Sequence, residues 1–252
     1  MTTLHHELSG PAGAPVIVLS NSLGTTFEMW DPQVDALRAK FRVLRYDTRG
    51  HGRSAALPGS YTIDELGRDV IALLDSLDIE RAHFVGISMG GLTGQWLGVH
   101  AGARIDKLVV SNTAARIGTT EGWRARADLV RKQGIADVAD GAAGRWFTPR
   151  FIAAQPATVE TLTARLRSLS PEGYAACCDA LGDADLREDI ARISCPTLVI
   201  AGAHDPVTTV DDARFIAARV RGARLAELDA SHLSNIEAAE AFTEAVLRFF
   251  GD

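Results

Sequence analysis

Gly86-Ile87-Ser88-Met89-Gly90-Gly91 stands directly after an apolar run at 83–87 and before a stretch at 92–99 that suits a helix. A serine held between glycines at the passage from strand to helix constrains the chain on both sides of it. The turn must be sharp, so its flanking positions need residues that tolerate close backbone contact. The serine hydroxyl is then held up at the C-terminal edge of the strand. The Met89 N–H points to the same place and can donate to an oxyanion, helped by the helix N-terminus.

The runs 16–20, 43–46, 83–87, 108–111 and 197–201 are nearly continuous in apolar character, as parallel strands covered on both faces are. A sixth run, 225–228, is more mixed, and helical stretches are expected at 63–77 and 235–250. This alternation predicts an α/β fold with a mostly parallel, doubly wound sheet. The rhythm breaks between about 118 and 189, where helix-like pieces punctuated by Pro149, Pro156 and Pro171 replace the strands. We therefore expect residues 1–117 to form the first part of the core, 118–189 an inserted helical cap, and 190–252 the second part of the core. A separate second domain is the alternative, with both of its ends tied to the core.

The 252 residues, 46% of them hydrophobic, are enough for a sizeable core without requiring two domains. A net charge of −6 argues against broad attraction to nucleic acid or anionic membrane, while an anionic small substrate would need a local basic pocket. Cys177, Cys178 and Cys195 are odd in number and two are adjacent, which does not suit a disulfide framework. No Cys/His grouping has zinc-ligand spacing. Residues 1–13 carry histidines and a glutamate where a leader would be apolar, and no run approaches the ~18 apolar residues that cross a bilayer. A cytoplasmic location is expected. Oligomeric state leaves no signature in the sequence.

A serine hydroxyl needs a base to take its proton. In a fold of this kind the acid and then the histidine follow the serine in chain order, each after a later strand. Asp205 follows 197–201 and His232 follows 225–228. His232 is therefore expected to accept the Ser88 proton, while Asp205 orients the imidazole and stabilises its charged form. His204 adjoins the acid and reads as a loop residue. Asp47 and His51 read as structural members of a turn, His83 and His100 lack a partner motif, and Asp229 lies on the wrong strand for the acid. The second oxyanion donor is expected from the loop after 16–20, with the Leu23 N–H the best placed and Asn21 and Gly24 equally describable as turn residues.

The serine turn, Arg49-Gly50-His51-Gly52-Arg53-Ser54, Gly202-Ala203-His204-Asp205 and Ser231-His232 together resemble the α/β-hydrolase superfamily over nearly the whole chain. More narrowly, the segments at 19–25, 42–52, 94–98, 111–115, 145–149 and 231–237 resemble the 3-oxoadipate enol-lactonase family. Asn21-Ser22, where the superfamily usually has His-Gly, is the more specific signal. The resemblance implies opening of an unsaturated lactone with an acetate arm through a Ser88 acyl-enzyme in bacterial aromatic-compound degradation. Leu23 and Met89 would hold the oxyanion, and neither a metal nor an organic cofactor is implied.

The section 116–150 is basic within an acidic protein: Arg116, Arg124, Arg126, Arg131, Lys132, Arg145 and Arg150 stand against Glu121, Asp128, Asp137 and Asp140. On a helix Trp123 and Arg126 share a face, whereas Arg124 and Asp128 could form a surface pair. Trp123, Arg126 and Trp146, with Arg145 a weaker candidate, are expected to enclose the lactone and its carboxylate; packing and solvated arginines are the competing description. Cys177 and Cys178 have no adjacent base motif and read as packing residues, as do Trp30, Trp96 and Phe147. A carboxylesterase, a C–C bond hydrolase or a cofactor-free haloperoxidase-like enzyme would use the same triad. Serine rather than aspartate at 88 disfavours a dehalogenase or epoxide hydrolase. A non-catalytic small-molecule receptor on this scaffold is the reading from a different class, and retention of all three triad residues speaks against it.

Overall fold

The computed structural model describes residues 4–251; Met1–Thr3 and Asp252, the ends of the N-terminal stretch and of the last core segment considered above, lie outside them. The first half of the chain runs β1 (His6–Ser9), β2 (Val16–Ser20), α1 (Asp31–Arg38), β3 (Arg42–Tyr46), α2 (Ile63–Ser76), β4 (Ala82–Ile87), α3 (Met89–His100) and β5 (Ile105–Ser111). Six helices follow before the next strand: α4 (Thr120–Gln133), α5 (Ala136–Asp140), α6 (Ala142–Trp146), α7 (Pro149–Ala154), α8 (Pro156–Arg167) and α9 (Pro171–Asp183). The chain then returns as β6 (Thr197–Gly202), α10 (Val210–Arg219), β7 (Arg224–Leu228), α11 (Ser234–Glu237) and α12 (Ala239–Gly251).

The strands form one seven-stranded sheet in the order β1-β3-β2-β4-β5-β6-β7. All pairings are parallel except β1 with β3. β2 and β6 are buried along their whole length, in keeping with their unbroken apolar runs. Ile17, Val18 and Leu19 are fully covered, and burying each such side chain contributes roughly 1.5–3 kcal/mol. The order reverses between β2 and β4: the chain goes from β2 outward to β3 and then returns to β2's other edge. Ser20 pairs with Gly86 there, so the loop after β2 and the turn after β4 emerge side by side. Such a switch point is where an open α/β sheet leaves a crevice at its strand ends.

Two expectations need correction. The edge strand β1 was missed, because HELS has no apolar run and is only partly buried. The single helix expected over 235–250 is broken at Ala238. Its first turn is held by Asn235, whose side chain donates to the Met29 carbonyl at 2.9 Å, and by Glu237, which accepts from the Ser231 N–H at 2.9 Å. Tethered on two sides, α11 stays with the loop before it, and α12 begins afresh.

The inserted helices start on local signals. Thr119, Thr148 and Ser170 cap α4, α7 and α9 by accepting backbone N–H groups, and α7, α8 and α9 carry proline in their first turn. α4 packs against α9, and the buried side chains of the insertion join the same hydrophobic cluster as the sheet. Gly50, with φ +76°, touches Gly173 of α9 backbone to backbone, and a Cβ on Gly50 would stand 2.7 Å from the Gly173 Cα.

Candidate active site

Ser88 occupies the bend between β4 and α3 at φ 57°, ψ −116°, a conformation that a residue with a Cβ adopts only at a cost of about 1–3 kcal/mol. The surroundings hold it there. Its N–H donates to Ser111 at 2.9 Å, its carbonyl accepts from Thr113 Oγ1 at 2.8 Å and from the Leu92 N–H at 2.9 Å, and the next turn is fixed by the Gly90 N–H on Asn21 O at 3.0 Å. The glycines are sterically required, since a Cβ at 86 would collide with Gly90 and one at 90 with Ser20.

His232 Nδ1 lies 2.8 Å from Asp205 Oδ2, and both side chains are buried. The same carboxylate oxygen accepts from Asn112 Nδ2 at 3.0 Å and Thr208 Oγ1 at 2.8 Å, and its partner oxygen from the Val207 and Thr208 N–H groups at 2.7 and 3.1 Å. Burial pulls the Asp205 carboxyl toward protonation, but the His232 charge and hydrogen bond, with those from Asn112 and Thr208, outweigh it and leave the group below its ordinary value. An ionised Asp205 fixes the imidazole with its proton on Nδ1, freeing Nε2 for the cavity.

The loop carrying Leu23 is anchored by Asn21, whose side chain donates to the Tyr46 carbonyl at 2.8 Å and accepts from Trp30 Nε1 at 3.0 Å. That gives Asn21 and Trp30 structural duty. Met89 opens α3, so its N–H is among the unpaired donors of a helix N-terminus.

Ser88, His232 and Leu23 line one cavity of about 440 Å³. Its far wall comes from the inserted helices and includes Trp123, Arg126, Arg145 and Trp146, all singled out from the sequence. Leu166 and Tyr174 also line it and were missed; no local motif marks them, since their position depends on how α8 and α9 fold back over the rim.

The arginines of 116–150 now separate into two groups. Arg116, Arg124, Arg131 and Arg150 meet carboxylates of Asp185, Asp183, Asp179 and Asp229. Arg124 thus pairs with Asp183 rather than Asp128, because α4 lies against the end of α9. Among the described residues neither Arg126 nor Arg145 has a carboxylate partner. Arg126 lies 5.0 Å from the Trp123 ring, and Arg145 donates to the Val138 carbonyl at 2.6 Å. Burial and the neighbouring Arg126 charge draw the Arg145 guanidinium below its ordinary value, so this wall carries uncompensated positive charge.

The other candidates lie elsewhere. His204 pairs with Asp229 at the surface at 2.8 Å, and His83 stacks on Phe250 with centroids 4.6 Å apart. His100 lies beside Trp96, with centroids 4.9 Å apart. Asp47 accepts from the Phe27 and Arg53 N–H groups, both at 2.9 Å, and closes the turn that carries His51. Cys177, Cys178 and Cys195 are free and buried, and burial pushes the Cys178 thiol up to about 12, which leaves it protonated and unreactive. Trp96 and Phe147 are buried in the core. Among the described residues no cluster of His, Cys, Asp or Glu is arranged to hold a metal ion, and no helix is long and apolar enough to cross a membrane.

The fold and this rim define a hydrolase scaffold, and a family model described as the alpha/beta hydrolase fold matches residues 15–239: the chain belongs to that family. Among its relatives, 3-oxoadipate enol-lactonase 2 of Acinetobacter baylyi is 52% identical, covering 96% of this chain and 91% of that protein. 3-Oxoadipate enol-lactonase 1 of the same organism is 47% identical, with the same two shares. The crystal structure of the enol-lactonase from Burkholderia xenovorans LB400 superposes with a TM-score of 0.98 at 48% identity, covering 100% of this chain and 97% of that one.

Proposed function

We propose that this protein is a carboxylic-ester hydrolase that opens 3-oxoadipate enol-lactone to 3-oxoadipate, with Ser88 as nucleophile, His232 as general base and acid, and Asp205 as the supporting carboxylate. The observation that carries the reading is the shared cavity. Ser88 and the Asp205-bound His232 line one side of it, and two guanidiniums without carboxylate partners line the other. The relatives' names supply the particular lactone.

Ser88 Oγ attacks the lactone carbonyl carbon while His232 Nε2 takes its proton. The carbonyl oxygen becomes an oxyanion received by the Leu23 and Met89 N–H groups. Collapse of this intermediate breaks the ring C–O bond. The leaving enol oxygen takes the proton from His232, and the enol becomes a ketone. Water, deprotonated by His232, then attacks the acyl-enzyme; the bond to Ser88 Oγ breaks, the serine regains its proton, and the diacid leaves. An enol is a good leaving group, so positioning and oxyanion stabilisation are the main demands on the protein. No step needs a metal or organic cofactor.

In this reading residues 118–189 act as a cap on a core made of 1–117 and 190–252. Arg126 and Arg145 receive the acetate carboxylate, and Trp123 and Trp146 flank the ring. Three buried, unpaired thiols suit a reducing compartment, and we place the reaction in the cytoplasm of an aromatic-degrading cell. The test is to follow ultraviolet absorbance of the enol-lactone with purified protein, beside a vinylogous diketone acid and a neutral nitrophenyl ester. Rapid loss of the enol-lactone with slow turnover of the other two is expected. A rate equal to spontaneous hydrolysis would rule out this substrate.

A further inference from the structure

The buried imidazole of His51 has no part in the chemistry described so far and does not line the cavity. Its Nε2 accepts the Gly24 N–H at 3.0 Å. Gly24 directly follows Leu23, whose own N–H is one of the two oxyanion donors proposed above. Asn21 fixes the start of this loop, and His51 grips it at the other end. The remaining side is closed by the cap, since a Cβ on Gly24 would meet Leu166 at 2.9 Å and Tyr174 at 3.3 Å. An acceptor on Gly24 is needed because a buried N–H without one is costly.

Imidazole can fill that role only with Nε2 unprotonated. The surroundings of Nδ1 select that form: it faces the Arg49 carbonyl at 3.4 Å, an acceptor that calls for a proton on Nδ1. Cys177 Sγ lies 3.9 Å from the same nitrogen. Arg49 is in turn clamped to Asp69 through two hydrogen bonds of 2.6 and 2.7 Å, so the turn carrying the imidazole is itself fixed to α2.

We propose that His51 is a positioning residue for the oxyanion hole, holding the Leu23 N–H on the reacting carbonyl through its hydrogen bond to the Gly24 N–H. The inference rests on Ser88 as nucleophile and Leu23 as donor, but not on the identity of the lactone. The contact should matter in the transition state, where the oxyanion shortens its bond to Leu23, and little in the ground state.

The experiment compares wild type, His51→Leu and His51→Gln by three readouts: kcat and KM on the enol-lactone, the rate of Ser88 capture by a fluorophosphonate, and the Kd of 3-oxoadipate. The fluorophosphonate passes through the same hole, whereas the product loads only the binding walls. His51→Leu should lower kcat and the capture rate together by about 100-fold, as a misplaced reacting group does, and leave KM and product Kd within about twofold. The Gln side-chain oxygen can accept from Gly24, so His51→Gln should recover most of both rates. Unchanged rates in His51→Leu, an equal loss of product binding, or a Gln variant as slow as the Leu variant would overturn the proposal. If His51→Leu does not fold, nitrogen-15 NMR of wild-type His51 decides: an unprotonated Nε2 supports the role and a protonated one refutes it. Wild type that captures the phosphonate but ignores the lactone would sink the substrate reading and leave this test standing.

Discussion

At the sheet rim Asp205 receives hydrogen bonds from His232, Asn112, Val207 and Thr208, and the bend at Ser88 is pinned through Ser111, Thr113 and Asn21. In the inserted helices Arg126 and Arg145 lack carboxylate partners, and the other wall residues are largely apolar. The first region is held by redundant bonds that leave its polar groups little freedom. The second keeps two guanidiniums without carboxylates, Arg145 turned to the Val138 carbonyl and Arg126 set beside the Trp123 ring. Rate should therefore be sensitive to the rim and selectivity to the cap.

The largest effect tests the rim. Ser88→Ala should lower kcat by about a million-fold, as loss of a triad serine does, and abolish fluorophosphonate labelling; persistent labelling would place the nucleophile elsewhere. Asp205→Asn should cost about 10⁴ in kcat with the protein still folded, because the amide no longer holds the required tautomer. A loss confined to KM would contradict the rim assignment.

The cap comes next. Arg126→Ala should reduce kcat/KM for the anionic lactone by about 10–100-fold, the range expected for a charged hydrogen bond, and barely change that for a neutral nitrophenyl ester. Equal losses on both substrates would remove Arg126 from carboxylate recognition, and the same comparison with Arg145→Ala ranks the two.

The smallest effect concerns stability against pH. Burial lowers the His51 imidazole from 6.5 to about 4, against the pull of the Arg49 carbonyl and the Asp47 charge. Between these values the unfolded chain binds the proton that the folded chain refuses, so this contribution is complete above 6.5 and drains away as the pH falls toward 4. Its slope is about 1.4 kcal/mol per pH unit. Asp205, held below its ordinary 3.8, acts only at lower pH. Urea midpoints of His51→Gln should be flatter than wild type across that window; parallel curves would assign the slope to another group.

The sheet was legible because continuous apolar runs report strands covered on both faces, and the proposed meeting of Ser88, Asp205 and His232 could be read because each follows the end of a strand. β1 escaped because an edge strand such as HELS needs no apolar period. Tyr174 and Leu166 escaped because their approach to Ser88 depends on helix packing across many residues. Asn112 was readable as part of SNTAA but not as a ligand of Asp205, since that contact spans two neighbouring strands. Helix spacing offered Asp128 to Arg124, and a tertiary neighbour, Asp183, took it. Local pattern thus identified what backbone geometry imposes and four residues of the cavity's far wall, while Leu166 and Tyr174 emerged only from three-dimensional packing.

The glycine pair at 50 and 173 limits where variation can enter this molecule. A lineage acquiring a new specificity would exchange the aromatic and basic groups that α4 and α6 turn to the cavity. It cannot add even a methyl group at either glycine without prising α9 away from the turn that carries His51. Libraries aimed at new substrates should therefore diversify positions 123, 126, 145 and 146 and spare that pair, the fulcrum on which any new pocket would still have to rest.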